Sequence, residues 1–134
     1  MKNKIKNICV IDDDKIYQYL TQRVISDTHL IKGIELFSNG LDAINYLETN
    51  SLDKKKLPDI ILLDLFMPVM DGWSFLKNFT AIQTKLAKKI PIYIVSSSID
   101  PIDIQKSKSI VSVTDFIVKP ITKEAFLKII KKVN

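Results

Sequence analysis

The residues that most often carry chemistry are scarce in this 134-residue chain, which has one cysteine (Cys9), one histidine (His29) and one arginine (Arg23). A lone cysteine excludes an internal disulfide and a cysteine-based zinc site. Cys9 lies in an apolar stretch and reads as an inert core thiol, while His29 follows a helical segment and reads as a surface or C-cap residue. Long apolar runs are missing too. Each is cut by a charge or a proline within about ten residues, well short of the roughly 20 that span a bilayer. The basic start Met1-Lys2-Asn3-Lys4 is followed too soon by Asp12-Asp13-Asp14 for a signal peptide. No segment repeats, and no tract is of low complexity. With 46% hydrophobic residues and a mean hydropathy of +0.10, the chain is too apolar to stay disordered. What remains is a single soluble domain over residues 1–134, expected in the cytoplasm.

The net charge of +5 comes from 20 basic against 15 acidic residues, and raises nucleic acid or an anionic surface as partners. Yet Arg23 is the only arginine, and arginine supplies the planar fork that base edges and phosphates favour. The lysines are scattered apart from Lys54-Lys55-Lys56 and a few helix-end pairs. The charge therefore reads as solvated surface, with no direct nucleic-acid partner and no membrane.

Short β-branched runs alternate with helix-length segments five times. The strand candidates are Asn7–Ile11, Gly33–Phe37, Ile60–Leu63, Ile92–Val95 and Phe116–Val118. The first, third and fourth are almost wholly apolar, as parallel strands covered on both faces must be. The helix candidates are Lys15–Asp27, Gly40–Glu48, Gly72–Lys85, Pro101–Ser109 and Lys123–Val133. Tyr17, Leu20 and Val24 form the expected apolar stripe of the first, and Phe126, Ile130 and Val133 that of the last. Ile99-Asp100-Pro101 reads as an apolar N′ residue, an N-cap and a proline at N1, with Ile104 placed to staple against Ile99. That fourth helix has little to bury. Glu48–Lys56 reads as a solvated connection. Strand–helix alternation through a whole chain implies a parallel α/β sandwich with right-handed crossovers.

In such a sheet, ligands gather beyond the carboxyl ends of the strands. Asp12-Asp13-Asp14 follow the first strand, Asp64 the third, Ser96-Ser97-Ser98 the fourth and Lys119-Pro120 the fifth. Taken singly, Asp14 and Asp71 read as helix caps, and Ser97 fits a turn as readily as a chemical role. Taken together, the strand ends form a constellation. Crowded carboxylates raise one another's pKa, and a hard divalent ion such as Mg²⁺ with oxygen ligands relieves the conflict. A carboxylate can also be the nucleophile that forms an aspartyl phosphate, with lysine and a hydroxyl stabilising the phosphoryl oxygens.

Four segments carry a family resemblance: Val10-Ile11-Asp12-Asp13-Asp14; Leu62-Leu63-Asp64-Leu65-Phe66-Met67-Pro68-Val69-Met70-Asp71-Gly72; Ile94-Val95-Ser96-Ser97; and Phe116-Ile117-Val118-Lys119-Pro120. In this order they resemble the receiver domain of two-component response regulators, of the single-domain chemotaxis-regulator kind, over roughly Ile5 to Val133. The resemblance implies a doubly wound, flavodoxin-like α/β fold whose five-stranded parallel sheet has the order 2-1-3-4-5, with helices on both faces. It implies Asp64 as phosphoacceptor, Asp13 as a direct Mg²⁺ ligand, Asp12 acting on the ion through water, and the Phe66 carbonyl as the remaining protein ligand. Ser96 would be the hydroxyl switch residue with Ser97 beside it. Lys119 would pair with Asp64 or a phosphoryl oxygen, its bond to Pro120 would be cis, and Phe116 would be the aromatic switch. Ser96 stands where threonine is commoner, and Phe116 where some members have tyrosine. Phe66 is bulky enough to screen a phosphoryl group from water, which implies slow self-hydrolysis.

The function expected is thus a stand-alone receiver rather than an enzyme. A histidine kinase or histidine phosphotransfer protein would be the donor. A downstream protein would bind the face of the fourth helix, fifth strand and fifth helix, where Lys106, Lys108 and Lys123 favour an acidic partner. The expected state is a monomer, with a phosphorylation-dependent dimer left open and no output domain after the fifth helix. A phosphatase of the haloacid-dehalogenase type would need a second aspartate where Phe66 stands. A flavodoxin-like carrier would not place three aspartates against a flavin phosphate, and nothing reads as a helix-turn-helix unit. A receiver-shaped scaffold that is never phosphorylated is the remaining alternative.

Overall fold

The computed structural model of the protein describes residues 4–134, so the basic start Met1–Asn3 lies outside the described residues. Strands and helices alternate along the chain: β1 (Asn7–Ile11), α1 (Lys15–Ser26), β2 (Gly33–Phe37), α2 (Gly40–Thr49), β3 (Ile60–Leu63), α3 (Gly72–Ile82), β4 (Ile92–Ser96), α4 (Pro101–Lys108), β5 (Val113–Val118) and α5 (Lys123–Val133). A short 3₁₀ turn, Gln83–Lys85, continues α3. All strand pairs are parallel and the sheet order is β2-β1-β3-β4-β5, as the resemblance implies.

Alternation along the central strands sorts their side chains into two cores. Cys9, Ile11, Ile61, Leu63, Ile92 and Ile94 meet α2 and α3 through Leu47, Phe75 and Phe79. Ile8, Val10, Ile60, Leu62, Tyr93 and Val95 meet α1 and α5 through Ile25, Phe126 and Ile130. Period-two patterning with both faces covered explains why these strands read as unbroken apolar runs. Burial pushes the Cys9 thiol far up, so it stays a neutral core group.

Three expectations need correction. α1 buries Gln18, Thr21 and Ile25, whereas Leu20 of the expected stripe is exposed and Tyr17 and Val24 are half-buried. The helix is rotated because the Gln18 amide donates to the carbonyl of Asp12 and reaches Ser38 Oγ at 3.3 Å, so a polar residue is satisfied inside. β5 begins at Val113 rather than Phe116, after a register shift at Ile92/Tyr93. An edge strand leaves one side open, so Thr114 and Asp115 stay exposed without ending it. Finally, Ile99 is 74% exposed, so no staple buries it. Asp100 does cap α4 by accepting from Ile102 N, and α4 buries only Ser107.

At the amino end of the sheet, Asp59 ties β1 to β3. Its carboxylate accepts from Lys6 N (2.8 Å), Asn7 N (3.0 Å) and Lys88 Nζ (2.6 Å). Burial raises this carboxyl's pKa, but the Lys88 bond and the two backbone donors outweigh it and hold the group below its ordinary value. A carboxyl lowered by folding contributes stability above the unfolded pKa near 3.9 and loses it as pH falls through the folded value. Asp59→Ala is expected to lower the unfolding free energy by about 1–3 kcal/mol at pH 7, by urea denaturation. The gap should narrow as the buffer is acidified through the range in which wild-type Asp59 protonates.

Candidate functional site

β1 and β3 are neighbours in register, Val10 beside Leu62 and Ile11 beside Leu63, so the next residues on each strand, Asp12 and Asp64, leave the sheet side by side. Both are buried, and Asp13 beside them is exposed. Oxygens of Asp12, Asp13 and Asp64 lie within 4.8 Å of one another. Lys119, at the end of β5, reaches in with Nζ 2.7 Å from Asp12 Oδ2 and 3.5 Å from Asp64 Oδ1. Its nearer partner is therefore Asp12 rather than Asp64, and one ammonium offsets both carboxylates. The Lys119–Pro120 bond is cis.

The surrounding chain is built to hold this cluster. Asp14 caps α1 by accepting from Ile16 N and Tyr17 N, and Asp71 caps α3 through Ser74 N, so the cap readings hold for both. Asp12 Oδ1 also accepts from Asp14 N at 2.9 Å. Asp64 N donates to the Ile11 carbonyl (2.9 Å) and Gly72 N to that of Leu65 (2.8 Å). A Cβ at Gly72 would sit 2.5 Å from the Asp64 carbonyl oxygen, so only glycine lets α3 start this close to the loop. Phe66, two residues beyond Asp64, is 53% exposed above that loop.

Ser96, at the end of β4, is fully buried. Its Oγ accepts from Ser98 N at 3.2 Å, and its carbonyl accepts from Lys119 N at 2.8 Å, which links the ends of β4 and β5. Ser97 is exposed, and Phe116 is half-buried against the α3-side core. Of two further residues with contacts here, Tyr17 reads from sequence as part of an apolar stripe and Gln18 is not singled out. The Tyr17 ring lies 4.2 Å from Lys119 Nζ and braces the ammonium by a cation–π contact. Gln18 holds the Asp12 backbone, and a glutamine within an amphipathic helix carries no signal for that. Trp73, half-buried as its place suggests, carries Lys106 Nζ 4.3 Å from its ring centroid.

The electrostatics follow from the packing. Burial first, then the Asp12 charge, raise the Asp64 carboxyl to about 6, with Lys119 and the Leu65 N–H pulling it back. An oxygen-only set of three carboxylates, two buried and one exposed, beside a lysine suits both a hard cation and an incoming phosphoryl group.

The comparisons with known proteins agree with this fold. The sequence model of the response regulator receiver domain matches residues 8–131. The chain belongs to the response regulator receiver family. A two-component response regulator from Cytophaga hutchinsonii superposes with a TM-score of 0.87 at 32% identity, covering 97% of each chain. The phosphorylated cyanobacterial phytochrome response regulator RcpA superposes at 0.75 with 28% identity, covering 96% of this receiver and 91% of its own chain. The cyclic di-GMP phosphodiesterase response regulator RpfG of Xanthomonas campestris is 30% identical over 115 residues, which is 86% of this chain. The receiver spans 80%, 28% and 22% of the first three curated relatives' lengths, so much of two of them lies outside the match. Among the described residues no helix is long and apolar enough to cross a membrane.

The raised Asp64 pKa sets a sign for stability. Because the folded carboxyl binds its proton more tightly than the unfolded one, ionised Asp64 destabilises the fold, with a penalty that grows from about pH 4 to 6 and then levels off. In metal-free buffer Asp64→Asn is expected to unfold at higher urea than wild type at pH 7, the difference closing near pH 4. Equal midpoints at pH 7 would refute it.

Proposed function

We propose that this receiver accepts a phosphoryl group on Asp64 from a phosphohistidine of a histidine kinase or phosphotransfer protein, and that the modified site switches binding to a downstream protein. The observation that carries the reading is the buried Asp64 flanked by Asp12 and the Lys119 ammonium. An Asp64 carboxylate oxygen attacks phosphorus as the bond to the donor imidazole breaks, its electron pair returning to the ring nitrogen. The donor set fits Mg²⁺: Asp13, Asp12 and the Phe66 carbonyl would hold the ion, which when bound would offset phosphoryl charge and relieve the carboxylate repulsion. Asp64 is the nucleophile, and Lys119 exchanges part of its hold on the carboxylates for a phosphoryl oxygen. The Tyr17 ring keeps Lys119 in place.

The switch then runs through β4 and β5. Ser96 turns its hydroxyl from Ser98 N toward the new phosphoryl oxygens, Ser97 follows on the same loop, and Phe116 repacks into the volume released. The output face is α4, β5 and α5. Ile102 and Val118 are exposed on it, while Lys106, Lys108 and Lys123 make it basic, so an acidic protein surface is the partner class. Lys106 is shared with Trp73, which makes the indole a reporter of α4.

Incubation with Mg²⁺ and acetyl phosphate should add one phosphoryl group to the intact mass and shift Trp73 fluorescence. Both changes should disappear in Asp64→Asn and without Mg²⁺. Magnesium binding without any mass gain, even from a kinase, would leave a receiver-shaped scaffold as the function. A separate expectation concerns Phe66, a half-exposed ring two residues beyond Asp64. Phe66→Asn should shorten the phosphoryl lifetime by about tenfold, read as decay of the phosphorylated mass, because water then reaches phosphorus. An unchanged lifetime would remove the screening role.

A further inference from the structure

The end of the sheet opposite Asp64 carries a second concave surface. A cleft of about 1010 Å³ opens where the amino ends of β4 and β5 meet the Gln83–Lys85 turn and the last turn of α5. Phe79, Leu86, Ile90, Pro91, Val113 and Val133 give it apolar walls. Within the described residues, two buried side-chain oxygens lack a hydrogen-bond partner, Tyr93 Oη and Ser112 Oγ. Both residues line this one cleft, and Tyr93 is only 2% exposed. A buried hydroxyl without a partner is costly, and two in one cavity wall mark a place where an oxygen-bearing molecule would be welcome.

The charged residues of the lining itself have one sign. Lys88, Lys89 and Lys132 contribute to it and no carboxylate does. Lys88 is held by Asp59, but Lys89 and Lys132 have no carboxylate partner among the described residues. Asp115 pairs in register with Tyr93 but is exposed and outside the lining. Burial, then the Asp115 charge, hold the Tyr93 phenol above its ordinary pKa, so at neutral pH it is an O–H donor. Apolar walls, two free hydroxyls and two unpaired ammonium groups define an occupant with an apolar or aromatic body and an anionic head.

We propose that this cleft is a binding site for a small amphipathic anion, an apolar body bearing a carboxylate or phosphate. The body lies against the partly exposed Leu86, Pro91 and Val133, and the anionic oxygens accept from Tyr93, Ser112, Lys89 and Lys132. This is independent of the phosphoacceptor reading, although the site is linked to it through the chain. β4 and β5 begin at the cleft; β4 ends at Ser96, and β5 ends at Val118, just before Lys119.

Two-dimensional amide NMR of the whole chain tests it, with naphthoate, naphthyl phosphate and the neutral naphthalene methanol as probes. At least one anion should give saturable shifts centred on residues 88–93 and 111–114, and the tighter of the two identifies the head group. The neutral alcohol should bind about tenfold more weakly, as should the anion to the double variant Lys89→Glu/Lys132→Glu. Tyr93→Phe removes the orphan hydroxyl, so it should melt higher than wild type while also binding the anion more weakly. No saturable shift at these residues with either anion, equal binding of the alcohol, or a double variant that binds as wild type would overturn the proposal. So would shifts confined to the Asp64 end.

Discussion

Two carboxylates leave adjacent central strands side by side, and their mutual repulsion is the condition that the rest of the molecule answers. Asp12 and Asp64 are both buried, so water screens neither well, and Asp64 is pushed up to about 6. The answer inside the chain is Lys119, brought from the end of β5 to within 2.7 Å of one carboxylate and 3.5 Å of the other. A site balanced this way responds to any change of charge at Asp64, because Lys119 has two alternative partners at hand. The switching proposed for this receiver uses that balance and needs no separate device.

The site can be strained because its supports are not. Two apolar cores clamp β1, β3 and β4 from both faces, so the strand ends are rigid emplacements for polar groups. The loops that leave them are held by short, local contacts. Asp14 and Asp71 cap the helices that follow, Gln18 pins the Asp12 backbone, and the missing side chain at Gly72 lets α3 close against Asp64. α4 is the contrast: it buries only Ser107 and is fastened by an N-cap, a Ser98–Asp103 hydrogen bond and the Lys106–Trp73 contact. An element with so little apolar burial is the one a small change at Ser96 can displace.

The two ends of the sheet differ in the chemistry they leave unsatisfied. The carboxyl end concentrates negative charge among few positive groups. Among the described residues, the amino end has ammonium groups without a carboxylate partner and two hydroxyls without hydrogen-bond partners around an apolar cleft. β4 and β5 connect them, so anything that orders the amino ends of these strands acts on the scaffold that carries Ser96 and Lys119.

Much of this was legible in the sequence. Strand–helix alternation, apolar central strands and the placing of Asp12, Asp13, Asp64, Ser96 and Lys119 at or just past strand ends follow from local pattern, because periodicity and caps depend on neighbours a few residues away. Five strands and five helices were located this way, with β5 cut short because an edge strand tolerates Thr114 and Asp115. The sequence alone could not say which face α1 buries. Gln18 turns inward only because the Asp12 carbonyl and Ser38 lie there, and those partners are set by how β1 and β2 pair. Nor could it place Tyr17 on Lys119, give Lys119 its preference for Asp12, or gather Tyr93, Ser112, Lys89 and Lys132 around one cleft. Those relations join residues far apart in the chain, and only the packed sheet brings them within reach of one another.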